Sequence, residues 1–374
     1  MSDPKSERGA RNGRRPWGRA AGASLLAGLL VVAPRSAAAS EDTPERAGTE
    51  VFHLDTALGR IDYHAGRGLR LGNTGLTIGG FAIVNAERLE GGESRGDLEG
   101  PTFLFSFEPV PFLRGFAELE TTELAHVRSG RSGVRSTPGV DVERLYGEAG
   151  LNDALNLRIG KFQTPIGRWN VAPAEPFVWT TSEPLILDDV FDDKTTGAML
   201  RGSFFPRDGA LSYSLYGAFF DPIDPDPEAP PAKHSAGAYL EWASLGGWSV
   251  GASYFASETT TGKWHHLGGA DVLWRPTDRV ELTVEGIFGE APRENGVLAG
   301  FYAQAVVETL PTLYAVGRYE HFEPAGDDPA IDLFDVGFAW VPFYWLRLKA
   351  DYRFADHLDE RSAPGLRASF SILF

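Results

Sequence analysis

The chain has 374 residues, a formal net charge of −16, a mean hydropathy of −0.19 and no cysteine. That length admits two ordinary soluble domains or one large β-barrel. The acidic balance argues against a nucleic-acid partner, and without cysteine there are no disulfide staples, so an exported chain must be held by its own hydrogen bonds.

At the N-terminus, Arg11, Arg14, Arg15 and Arg19 precede the apolar run "AAGASLLAGLLVVA", and Ala37-Ala38-Ala39 follows. Basic region, apolar region and small-residue cleavage site together predict a secretory signal peptide over residues 1–39. The run is about 14 residues, short of the ~20 that a spanning helix needs. Arg14-Arg15 also raises twin-arginine export, but "RRPWGR" lacks the usual apolar partners, which favours the general secretory route. Cleavage after Ala39 removes seven Lys/Arg and two Asp/Glu, taking the formal charge from −16 to −21. Beyond it no apolar run approaches spanning length, and a barrel wall that alternates apolar with polar residues gives just this modest hydropathy.

Residues 40–75 are polar and close on the Gly-rich "HAGRGLRLGNTG". They read as a periplasmic leader of no derivable shape. From Leu76 onward, segments rich in Phe, Tyr, Val and Gly are separated alternately by tight turns and long polar loops. The turns are "EPVPF", "LNDAL", "FPRDGA", "LGGW", "RPTDR", "LPTL" and "VPFYW", nearly all marked by Pro or Gly. Seven turns and eight loops make fifteen connections, and so predict sixteen strands over residues 76–374.

Strict alternation supports strands rather than helices. In "WLRLKADYRFA", Leu346, Leu348, Ala350, Tyr352 and Phe354 share one face; Arg347, Lys349, Asp351 and Arg353 share the other. Val280, Leu282, Val284 and Phe288 oppose Glu281, Thr283 and Glu285, while Leu113, Ala117 and Leu119 oppose Arg114, Glu118 and Glu120. A soluble sandwich also alternates. Short-long connection order, aromatic residues near strand ends and an even strand count favour an all-β transmembrane antiparallel barrel with short periplasmic turns and long extracellular loops. In lipid every backbone donor and acceptor must be paired, so only a closed barrel allows such strands to span. Lys or Arg at the lipid midplane costs about 2–4 kcal/mol. Arg347, Lys349 and Arg353 must therefore face the lumen, and Arg114, Arg144, Arg158 and Arg318 can face it too, where with Arg347 and Arg353 they could form a basic stripe. Lys161 resists the scheme: alternation from Leu155 sends it outward, and either a bulge at Gly160 or snorkelling at the rim would accommodate it.

Three stretches, "LRIGKFQTPIGRWN", "TTGAMLRGSFF" and the terminal "ASFSILF", resemble Gram-negative outer-membrane porins, and most of all the family that includes the phosphate-selective O and P type channels. The resemblance runs from about Leu76 to Phe374, with moderately specific motifs. It implies a homotrimer, insertion by the barrel assembly machinery with Phe374 as the terminal aromatic signal, and an inward-folded third loop. In this chain the third loop is 164–193, with Lys194 at its end. Its charges are Arg168 and Lys194 against Glu175, Glu183, Asp188, Asp189, Asp192 and Asp193. A constriction edged by carboxylates attracts cations. This departs from phosphate-selective relatives, for which the resemblance implies a basic constriction; only five lysines follow residue 39.

No catalytic constellation stands out: the serines lack a nucleophile elbow, and His265-His266 reads as a solvated loop feature rather than a metal site. No cofactor is expected. "LDDVFDD" (187–193) is a candidate Ca²⁺ site by its clustered carboxylates but lacks a calcium-loop pattern, so a solvated loop or a divalent bridge to lipopolysaccharide is the competing reading. The function these features support is passive diffusion of small hydrophilic solutes or ions across an outer membrane, in contact with its lipids. The alternatives are a substrate-specific anion channel of phosphate type and a non-conducting structural or adhesive barrel; sixteen strands argue against the last, because barrels this wide leave an aqueous channel.

Overall fold

The computed structural model describes residues 50–374 apart from 58, 91, 93, 123, 130–135, 137, 172–174, 188–189, 226–231, 291–295, 327 and 356–361. The predicted signal peptide, residues 1–39, therefore lies outside the described residues. Among the described residues twenty strands occur in chain order: β1 (Glu50–Thr56), β2 (Gly59–His64), β3 (Gly68–Leu71), β4 (Leu76–Leu89), β5 (Ser94–Val110), β6 (Leu113–Thr122), β7 (Ala125–Arg128), β8 (Gly139–Asn152), β9 (Leu155–Gln163), β10 (Lys194–Phe204), β11 (Gly209–Ala218), β12 (Ala232–Ser244), β13 (Trp248–Thr259), β14 (Trp264–Thr277), β15 (Val280–Glu290), β16 (Val297–Leu310), β17 (Leu313–Glu323), β18 (Ile331–Phe343), β19 (Leu346–Ala355) and β20 (Gly365–Leu373). Sixteen of them, β4 to β6 and β8 to β20, form the wall, each antiparallel to its neighbours.

Closure is made by β20 against β4, from Gly365↔Leu89 to Leu373↔Phe81. The last residue completes this seam: Phe374 N–H donates to Gly80 O and Gly80 N–H donates to Phe374 O, both at 2.9 Å. A closed sheet has no edge, so the whole ladder is satisfied internally. The Phe374 ring lies on the outer face, edge-on to Phe103 at 6.0 Å.

Alternation sorts the two faces. On β15, Val284 and Phe288 are exposed outward while Thr283 and Glu285 are buried inward. Apolar side chains such as Leu157, Leu215, Leu240, Val272, Phe338 and Phe370 are similarly exposed around the outside. An outer face carrying so many exposed apolar side chains is not one that water solvates well. The interior holds a hydrophobic cluster in which Phe162, Met199, Phe255, Ile287, Tyr302 and Leu333 of the wall pack with residues of loop 164–193.

Two features have no counterpart in the alternation pattern. Where β6 meets β8 the register shifts between Glu118↔Arg144 and Leu119↔Val142, leaving Glu143 unopposed as a bulge. The leader forms a small antiparallel sheet, β1 on β2 and β2 on β3, which joins the wall through Leu69↔Ile78 and Arg70↔Thr77. Its β2–β3 turn meets the β18–β19 turn, where Arg67 lies 5.8 Å from the centre of the Tyr344 ring. Gly68 (φ +85°) begins β3 where a Cβ would stand 2.3 Å from Ile78 O, so only glycine allows the two strands to approach there.

Candidate functional site

Loop 164–193 leaves β9, crosses the lumen and returns into β10. Its neck is closed by backbone and side-chain bonds. Thr164 N–H donates to Asp193 O at 2.8 Å, Thr164 Oγ1 to Asp192 O at 2.7 Å, and Asn170 Nδ2 to both Thr164 O (2.7 Å) and Asp193 O (3.1 Å). Ile166, Trp169, Leu185, Ile186, Leu187, Val190 and Phe191 then pack into the interior cluster.

The loop is stitched to the wall by opposite sets of groups. Wall carboxylates accept loop N–H groups: Glu285 from Trp169 N–H at 3.0 Å, Asp351 from Thr181 N–H at 2.9 Å, and Glu320 from Leu185 N–H at 2.7 Å. Wall cations donate to loop oxygens: Lys349 Nζ to Thr180 O (3.0 Å), Arg353 Nη2 to Ser182 Oγ (2.6 Å), and Arg318 to Thr180 Oγ1 (2.7 Å), Ser182 O (2.8 Å) and Ser182 Oγ (2.9 Å). Such charge-assisted bonds are about twice as strong as neutral ones. Arg318 also pairs with Glu320 and Asp335, each at 2.8 Å, and all three side chains are essentially solvent-free. From the loop, Arg168 reaches Glu241 on β12 (2.7 Å), Ser249 on β13 (2.8 Å) and Asp271 on β14 (3.0 Å). Gly167 (φ +63°) makes this turn possible, since a Cβ there would lie 1.7 Å from Glu285 Oε1.

On the wall away from these contacts, Phe116 and Tyr146 stack at 5.3 Å, with Arg144 over the first ring at 4.7 Å and Arg158 over the second at 4.0 Å. Arg144 pairs with Glu118, Arg158 with Glu148 (2.6 Å), Arg114 with Glu108 (2.7 Å), and Arg201 stands 3.7 Å from Glu148. Arg347 lies against the loop aromatics Phe177 (5.1 Å) and Trp179 (5.6 Å), and its Nε and Nη1 have no hydrogen-bond partner among the described residues.

The residues singled out from the sequence thus fall into distinct places. Arg114, Glu118, Glu120, Arg158, Glu281, Glu285, Arg318, Arg347, Lys349, Asp351 and Arg353 sit on the inward face of their strands. Glu285, Arg318, Lys349, Asp351 and Arg353 hold the loop, and Glu281 accepts from Trp179 Nε1 at 3.0 Å. Of the loop charges, Arg168 reaches across the lumen. Glu175 opens a short 3₁₀ turn, Glu175–Phe177, and Glu183 is half-buried. Asp188 and Asp189 lie outside the described residues. Asp192 is half-buried at the neck, where its Oδ1 accepts Lys194 N–H at 3.1 Å; burial and the neighbouring Asp193 push its carboxyl up to about 6.

Lys194 does not project from the loop. It begins β10 opposite Gln163, on the same outward-facing row as Ala198↔Ile159, and its ammonium is held by Glu143 (2.6 Å) and Asp193 (2.8 Å). The bulge supplies that Glu143, a partner from a remote strand that the lysine's place at the end of the loop does not reveal. Lys161 is also outward: pairing runs through Gly160 without a register shift on either side, and its Nζ donates to Asp224 O at 2.7 Å, in a segment held to β10 by Ile223 N–H donating to Thr196 Oγ1 at 3.1 Å. His265-His266 lies on β14 rather than in a loop, because alternation continues to the strand's end, with His265 inward and His266 outward against Tyr254. Among the described residues no group of three or more metal-ligating side chains occurs.

Residues missed by sequence reasoning include Glu241, Asp271, Glu320 and Asp335, which complete the anchors. Glu241, Asp271 and Asp335 alternate with apolar neighbours, as Asp335 does between Phe334 and Val336, so their signal was present strand by strand; Glu320, between Tyr319 and His321, carries it less clearly.

No family model matches the chain, and no curated protein matches it. Among solved structures, the chain is similar to OmpF of Salmonella typhi in complex with daunomycin, at 13% identity over 81% of this chain and 98% of that one, with a TM-score of 0.56. It is similar to the anion-selective porin from Comamonas acidovorans at 10% identity over 80% and 99%, TM-score 0.56. A third likeness is to the outer membrane channel DcaP of Acinetobacter baumannii, at 12% identity over 86% and 99%, TM-score 0.52. At these identities what is shared is the fold, a closed sixteen-strand porin barrel.

Proposed function

We propose that this protein is an outer-membrane channel through which small hydrophilic solutes diffuse passively, narrowed by loop 164–193. The observation that carries the reading is the loop itself. A long segment is tied across the interior of a barrel whose outer face is apolar, by carboxylates and guanidinium groups on β12 to β19. A structural or adhesive barrel has no need of such a device. On this reading the chain is exported by residues 1–39, inserted by the barrel assembly machinery and surrounded by lipid and lipopolysaccharide in a Gram-negative outer membrane. Refolded protein in a planar bilayer is expected to give stepwise conductance; a silent bilayer from correctly folded protein overturns the proposal.

A second reading, preference for anions of phosphate type, draws on one observation. Of the loop carboxylates that favour cations, Asp193 is engaged by Lys194, while Arg114, Arg158 and Arg201 line the wall away from the anchors. Reversal potentials in a salt gradient separate the two, anion preference supporting the second.

A further inference from the structure

The leader sheet is amphipathic in a way that its register ties to the wall. Directly opposed residues of antiparallel strands point to one face. Phe52↔Tyr63, Leu54↔Ile61, Tyr63↔Leu69 and Ile61↔Leu71 therefore share one face, while His53↔Asp62, Asp55↔Arg60 and Asp62↔Arg70 share the other. The face is then fixed relative to the barrel by Leu69↔Ile78. Ile78 pairs with Phe105 and Phe105 with Ala117, the row next to inward Leu104↔Glu118, so Ile78 is outward. The six apolar leader residues thus continue the outer apolar surface of the wall beyond its short-turn rim. Phe52 and Leu54 are 50% and 57% exposed, although the Phe52 and Tyr63 rings stack at 5.7 Å.

We propose that this face is a lipid-docking surface: the leader lies against the phospholipid of the leaflet at the short-turn rim, its apolar side in the headgroup–acyl boundary and its polar side toward water. This rests on the transmembrane reading above. Continuity selects the occupant, because a surface that prolongs the lipid-facing wall in the same plane meets the same solvent. The chemistry required is that of a phospholipid monolayer edge, into which aromatic and aliphatic side chains partition. The contact of the β2–β3 turn with Tyr344 and Trp345 holds the sheet at that level.

The chain has no cysteine, so single nitroxide labels can be introduced without altering any native thiol. Leu54→Cys, Asp55→Cys and Val284→Cys, each refolded in phosphatidylethanolamine–phosphatidylglycerol vesicles, report the leader's apolar face, its polar face and the barrel's outer wall. Collision with oxygen measures lipid access; collision with a nickel chelate measures water access. The expected result is lipid access at 284 and at 54, with nickel collisions several-fold lower at 54 than at 55. Lipid access at 284 with water access at 54 overturns the leader proposal alone. Protection of 54 from both probes assigns the face to a protein contact, such as a second copy of the chain, and overturns it too. Water access at 284 overturns the transmembrane reading and with it this inference.

Discussion

Replacing Arg318 by Met tests how the loop is held. The guanidinium makes three bonds to the loop, at 2.7, 2.8 and 2.9 Å, and pairs with Glu320 and Asp335 in a site with no solvent access. Two losses compete. Hydrogen bonds from a charged group contribute about 1.5–3 kcal/mol each and are not additive. Removing one member of a buried pair costs about 3–5 kcal/mol, because the partner stays charged and dry. Asp335 retains Arg353 at 2.8 Å, whereas Glu320 is left with Arg353 at 3.8 Å and one backbone N–H. The stranded Glu320 carboxylate should therefore dominate, shifting loop docking by about 3–5 kcal/mol, on the order of a hundred- to a few-thousand-fold in the docked ratio. The wall, closed by backbone ladders, should persist. Tryptic cleavage after Arg168, which is shielded while docked, reads the undocked population when closing outpaces cleavage. Arg318→Met should cut far faster than wild type and show noisier single-channel current. Arg318→Met with Glu320→Gln should recover much of the loss, leaving the hydrogen-bond share. Wild-type cleavage and current in the single variant, or a double variant as labile as the single one, would refute this reasoning.

Gly167→Ala should loosen the same loop by about 1–3 kcal/mol, since a side chain at φ +63° is strained and its Cβ would overlap Glu285 Oε1; Arg168 cleavage should again accelerate, with heat-modified gel mobility unchanged. Asp192 has its folded-state carboxyl raised to about 6, so the charged form is disfavoured at the neck and stability falls as pH rises from its unfolded value toward 6. The full shift corresponds to about 3 kcal/mol, reduced to about 1–2 by partial exposure; Asp192→Asn should abolish that slope between pH 4 and 6 in loop-cleavage measurements, and an unchanged slope would locate it elsewhere. Gly80→Val should impair closure, because a Cβ there would stand 2.2 Å from Thr102 O and 2.7 Å from the Phe374 ring; the measurement is the yield of the compact form on an unheated gel, expected to drop severalfold.

Strand number, strand facing and barrel class were legible from residues near one another in the chain. Pleating sends successive side chains to opposite faces, so Leu346, Leu348 and Phe354 outward and Lys349, Asp351 and Arg353 inward follow from backbone geometry and the cost of a charge in lipid alone. The terminal Phe374 and the third loop were similarly marked by position. What each charge does was not legible, because its partner is remote: Arg168 meets Asp271 across 103 residues and Thr181 meets Asp351 across 170. Only the path of the loop decides that Arg318, Lys349 and Arg353 are anchors while Arg347 is left beside Phe177 and Trp179. Only a bulge at Glu143 and the remote Asp224 carbonyl give outward Lys194 and Lys161 their partners. The leader's facing also depends on tertiary contact: its strands pair with one another, but only the pairing onto β4 at Leu69↔Ile78 turns their apolar side outward.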